Sequence, residues 1–163
     1  MKKKRGIIIL FCILTFLWIC FIWGNSLKPG SESGEMSNFV LEFINSILKN
    51  ISPSLMLSHL FVRKLAHFLE FAALGVLASF LIYFLFGLSR EASVKKLAFV
   101  FFALPFSFMV ASIDEVIQLF VAGRSGNFGD VMIDTSGASV AIVIFFAILL
   151  LRYELHNSKR SEI

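Results

Sequence analysis

The chain has 163 residues, 58% of them hydrophobic, with 20 Phe, three Pro and a formal net charge of +4. A mean hydropathy of +0.85 excludes a soluble globular domain and leaves a small integral membrane protein with room for a handful of spans. The two cysteines, Cys12 and Cys20, both fall inside the first apolar run, so they staple no extracellular domain and say nothing of redox compartment.

In chain order, the basic run KKKR precedes residues 6–24, GIIILFCILTFLWICFIWG, which carry no charge and end at the interfacial aromatic Trp23. This run is long for a signal-peptide h-region and no Ala-x-Ala site follows it. A lipoprotein box at Leu17-Trp-Ile-Cys20 is spoiled by bulky Ile19. It reads as a retained anchor. The loop over residues 25–58 opens with polar, flexible NSLKPGSESGE. Then Met36, Phe39, Val40, Phe43, Ile44, Ile47, Leu48 and Ile51 recur at alternating spacings of three and one, the period of an amphipathic helix. That helix, residues 36–51, is too short to span and is expected on the outer interface, either as a lid over the charges described below or as a packing cap. Further spans are expected over residues 63–88, 97–120 (bent at Pro105) and 131–151, each near the roughly 20 residues a bilayer needs.

Orientation follows from basic residues in short loops. The N-terminal run, the loop GLSREASVKK and the tail together hold ten of the fifteen basic residues and three of the eleven acids. These three segments agree on one topology, with both termini cytoplasmic. The expected fold is a single all-α domain over residues 1–163, a polytopic membrane bundle of four transmembrane helices plus the interfacial helix in the first extracytoplasmic loop.

Between the third and fourth spans stands ASIDEVIQLFVAGRSGNFGDVMID, with four acids, a Gln and an Arg among apolar segments. A charge at the bilayer centre costs at least about 2.5–3.5 kcal/mol. The topology puts these groups near the outer surface instead. Span two runs inward, so Arg63, Lys64, His67 and Glu70 lie in its outer half, with Glu70 about 10 Å below Arg63. Asp114, Glu115 and Gln118 lie in the outer half of span three, and Asp130 and Asp134 open span four. Arg63, His67 and Glu70 share one helical face, as do Asp114 and Gln118, and Asp130, Asp134 and Gly137. The small run Ser136, Gly137, Ala138, Ser139 permits close helix approach. Arg63, Lys64 and Arg124 are the expected partners of Glu70, Asp114, Glu115, Asp130 and Asp134.

The stretches NSLKPGSESG, RKLAHFLEFAALG and SIDEVIQLFVAGRSGNFGDVMIDTSGA, in this order, resemble the VanZ-like family over residues 23–141. Phe71 departs from a common Tyr, and Ala122 from a common Pro. The resemblance implies a small bacterial membrane protein of the cell envelope, and the namesake is associated with resistance to teicoplanin, a lipid-tailed glycopeptide. A place in the bacterial cytoplasmic membrane follows from it. The expected partners are a membrane lipid, a lipid-linked envelope precursor or a lipoglycopeptide.

Each group carries a sharp and a plain reading. His67 serves as general acid/base, or as a buried imidazole bridging helices. Asp114 and Glu115 form a proton-sharing carboxylate pair, or are neutralised by Arg63 and Arg124. Arg124 clamps a phosphate, or pairs with Asp130 beside a glycine turn. A metal set of His67, Glu70, Asp114, Glu115 and Asp130 lacks HExxH, DxD and a second central His, so no metal or cofactor is assigned. Ser26 as nucleophile requires His67 nearby. KKKR is a topology signal, and nothing points to nucleic acid. Catalytic candidates are therefore His67, Glu70, Asp114 and Glu115; binding candidates are Arg63, Lys64, Gln118, Arg124, Asp130 and Asp134. Three functions stay open: a binding or shielding protein of the outer leaflet, an intramembrane enzyme on an envelope lipid, and a small transporter. Four spans without polar lining in the inner half disfavour the last. Desolvating so many charges is a poor route to stability, which favours a working site over glue.

Overall fold

The computed structural model describes residues 2–51, 56–88 and 93–161. Helix α1 runs Lys2–Ser26, α2 Gly30–Ile51, α3 His59–Leu85, α4 Val94–Leu97 and, after a 3-10 stretch Ala98–Phe102, α5 Ala103–Gln118 and α6 Phe128–Ser161. No strand occurs among the described residues. Four segments are long and apolar enough to cross a membrane: Lys4–Ser26, His59–Leu85, Ala98–Gln118 and Phe128–Arg160.

Local chemistry moves several boundaries from their expected places. The first span continues through Asn25 and Ser26, so both side chains sit on its last turn. The stretch SESGE, expected to be flexible, is the first part of α2. The Pro29 carbonyl accepts from Ser33 N at 3.0 Å, and Glu32 complements the positive end of the helix. Ser58 caps α3, its hydroxyl accepting from Phe61 N at 3.2 Å, a bond worth about 1 kcal/mol. That helix stops at Leu85 rather than residue 88 because Gly87 turns at φ 61° while Gly87 N and Leu88 N bond back to Phe84 and Tyr83. In the third span the irregular backbone lies one turn before Pro105. Proline has no N–H for the Phe101 carbonyl, and Phe101 falls within the 3-10 stretch. The last helix runs about ten residues past its expected end, with Lys159 and Arg160 complementing its negative terminus.

Helix α3 is the hub, packing most extensively on α6 and also on α1, α2 and α5. Small residues make the α3–α6 contact. A Cβ at Gly75 would lie 2.6 Å from the Ala138 carbonyl oxygen, and one at Gly137 would collide with the Phe68 carbonyl. In lipid, helices associate through such close approach rather than through water exclusion. Around this seam Phe71, Leu74, Val110, Ala138 and Ile142 are wholly or almost wholly buried. The outward faces are equally apolar: Ile13, Phe16 and Leu17 on α1, and Val143 and Ile144 on α6, are all exposed.

Helix α2 turns its aromatic face away from the bundle. Phe39 is 75% and Phe43 62% exposed. Facing inward are Ser33, Ser37 and Asn45, the last exchanging hydrogen bonds with the Leu57 backbone. The helix packs on α3 all the same, so it adjoins the bundle with that aromatic face left exposed.

Candidate functional site at the polar end of the bundle

The end of α1, the first half of α3, the end of α5, the following loop and the start of α6 meet at one end of the bundle. All ten candidate residues lie there. Asp114 is fully buried; its Oδ2 accepts from Ser26 Oγ at 2.8 Å and from Gln118 Nε2 at 3.0 Å. The same Gln118 amide donates to Glu115 Oε1 at 3.0 Å, tying two adjacent carboxylates together. Glu115 Oε2 accepts from Asn127 N at 2.9 Å. Glu70, on the face of α3 that also carries Arg63 and His67, lines the cavity toward α2, and its Oε1 accepts from Asn25 Nδ2 at 3.1 Å. Amides and a hydroxyl, not cations, hold these three carboxylates.

The ion pairs fall elsewhere. Lys64 Nζ lies 3.1 Å from Asp130 Oδ1, but the side chains are 50% and 29% exposed, so the pair contributes less than about 1 kcal/mol. Asp130 also accepts from Asn127 Nδ2, while Asn127 Oδ1 accepts from Asp130 N. Asn127 thus caps α6 reciprocally. Asp134 is fully buried and, among the described residues, neither carboxylate oxygen has a hydrogen-bond partner; His67 Nδ1 lies 3.8 Å from its Oδ1.

Two expected partnerships are replaced. Arg124 does not pair with Asp130. Its Nε donates to the Lys28 carbonyl at 3.1 Å and its Nη2 to the Asn25 carbonyl at 2.8 Å, clamping the last turn of α1 and the chain just beyond it. Burial, then repulsion from Arg63, lower the Arg124 pKa from its ordinary value, and the guanidinium remains charged. Arg63 makes no ion pair within 4 Å among the described residues. Ser26 hydrogen-bonds to Asp114, not to His67.

Arg63 and His67 form the wall between two cavities. One, of about 210 Å³, is lined by Arg63, Lys64, His67, Glu115, Asp130 and Asp134 among others. The other, of about 160 Å³, lies between α3 and α2, where Glu70 and Arg124 face Met36, Ser37 and Val40. Sequence reasoning gave no role to Asn25 and Asn127. The signal for Asn127 was its place three residues before Asp130 at a helix start. It also overlooked Thr15, Ser79 and Ser107, whose buried hydroxyls have no hydrogen-bond partner among the described residues.

A family model described as VanZ/LLP1 matches residues 11–151. No curated protein and no solved structure matches. The matched region covers two of the four membrane-crossing helices whole, most of the other two, and every candidate residue of the site; the chain belongs to the VanZ/LLP1 family.

Proposed function

We propose that this protein works at the outer leaflet of the bacterial cytoplasmic membrane, with both termini inside, where it binds the polar headgroup of a lipid-linked envelope precursor or the polar part of a lipoglycopeptide. The observation that carries this reading is Asp134, a fully buried carboxylate with no hydrogen-bond partner at the floor of the 210 Å³ cavity. Leaving a buried polar group unsatisfied costs about 1–3 kcal/mol and more for a charge, so the bundle gains no stability from it. At 210 Å³ the cavity is below the roughly 300–1,000 Å³ of drug-sized sites, which favours a headgroup over a whole glycopeptide. Arg63 and Lys64 at its rim suit a phosphate or carboxylate. The exposed Phe39 and Phe43 of α2 support a helix lying in the interface beside the second cavity, where it acts as a movable wall.

A second reading, an enzyme acting on the bound lipid, draws support from His67. It lies 3.8 Å from Asp134 and borders both cavities, as a carboxylate-oriented general base does.

Teicoplanin and vancomycin susceptibility in a sensitive Gram-positive host test the proposal, with wild type, Asp114→Asn, Glu115→Gln and empty vector compared at matched membrane levels. Protection against teicoplanin alone, lost in both variants, is the expected result. Protection equal in wild type and variants would sink the site, and no protection by wild type would direct the search to the host's own envelope lipids.

A further inference from the structure

We propose that His67, Asp114 and Asp134 form a binding site for one divalent cation, zinc or manganese. A ring nitrogen of His67 and one carboxylate oxygen from each aspartate all lie within 4.8 Å of one another. Two ligands of a tetrahedral ion stand about 3.4 Å apart at bond lengths near 2.1 Å. The widest of the three separations therefore has to close by up to about 1.4 Å.

The hydrogen bonding singles out the same residues independently. His67 Nδ1, Asp114 Oδ1 and both Asp134 oxygens are buried without a hydrogen-bond partner, and Asp114 and Asp134 are fully buried. Asp114 Oδ2, by contrast, is held by Ser26 and Gln118. That arrangement fixes the carboxylate plane and leaves Oδ1 free, as outer-shell partners of a metal ligand do. The neighbouring carboxylates are engaged otherwise: Glu115 by Asn127 and Gln118, Glu70 by Asn25, and Asp130 by Lys64.

Charge and donor type narrow the ion. Two carboxylates and a neutral imidazole carry −2, which one divalent cation cancels. Calcium takes six to eight oxygens and magnesium a near-ideal octahedron of them, whereas a mixed imidazole and carboxylate set suits zinc or manganese. Three protein ligands leave a coordination position open. His67 and Asp134 both line the 210 Å³ cavity, so that position faces it. The site stands on these atoms alone; a phosphate oxygen as the further ligand rests on the headgroup reading above.

The full chain, purified in detergent and stripped with chelator, is titrated calorimetrically with ZnCl2 and, separately, MnCl2. One equivalent of at least one of the two ions is expected to bind. Affinity should fall tenfold or more in Asp134→Asn and in His67→Gln, while Glu154→Gln, toward the far end of α6 from the site, leaves it unchanged. Ser26→Ala, which frees the Asp114 carboxylate to rotate, should weaken binding by about tenfold. Size-exclusion elution checks that each variant is folded, and Asp114→Asn replaces any that is not. Absence of binding of both ions to folded wild type, or binding unchanged in either ligand variant, would overturn the site, whatever the susceptibility assay returns.

Discussion

Ser26 Oγ donates to Asp114 Oδ2 across 2.8 Å inside the bundle, joining the last turn of the first helix to a residue 88 positions later. Removing the hydroxyl leaves Asp114 with one donor in a dry site. Ser26→Ala should therefore destabilise the protein by about 1–3 kcal/mol. Ser26→Thr, which keeps the hydroxyl, should restore most of it. A hydroxyl acting as nucleophile would instead lose function in both variants at unchanged melting temperature.

Close approach of α3 and α6 makes Gly137 intolerant of any side chain, because its Cβ would meet the Phe68 carbonyl. Gly137→Ala should cost about 1–3 kcal/mol through overpacking, seen as earlier melting in detergent. Gly24→Ala, where nothing lies within 4 Å, is the matched control and should change little.

Arg124 is a structural clamp on α1. Arg124→Lys cannot span the Lys28 and Asn25 carbonyls with a fork, so it should lose about 1.5–3 kcal/mol for a charge-assisted bond forgone. Thermal melting checks this. Equal stability of the Lys variant would show that a point charge suffices there.

The exposed Lys64–Asp130 pair makes the opposite prediction for stability. Lys64→Ala should shift melting by less than about 1 kcal/mol equivalent, and less still in high salt. A larger loss would mean that the pair also orders the α6 cap through Asn127.

Which residues meet was readable from the sequence because helical phase and topology act on the whole chain. The face shared by Arg63 and His67, the Asp114–Gln118 step of four and the small run around Gly137 are properties of a 3.6-residue repeat, and the bundle contains each. Who bonds to whom was not readable. Charge counting paired Arg124 with Asp130, but the α1 helix continues to Ser26, so the Asn25 carbonyl on its last turn comes within reach of Arg124. The same two-residue extension brings Asn25 and Ser26 to Glu70 and Asp114, replacing expected cations with neutral donors. Pro105 announced an irregularity, and the missing N–H displaced it a turn earlier, onto residues 98–102. Metal motifs in sequence look for close spacing; His67, Asp114 and Asp134 come from three helices and carry no local signature.

The central claim is that the polar end is kept for binding rather than for holding the helices together, and Asp134 tests it most directly. The measurement is the melting temperature of Asp134→Asn against wild type, both in one detergent and with chelator present. Asn keeps the side-chain volume and removes a buried carboxylate that has no hydrogen-bond partner. The account predicts a melting temperature unchanged or raised. A fall of several degrees in the metal-free protein would mean that Asp134 stabilises the bundle, and would contradict it.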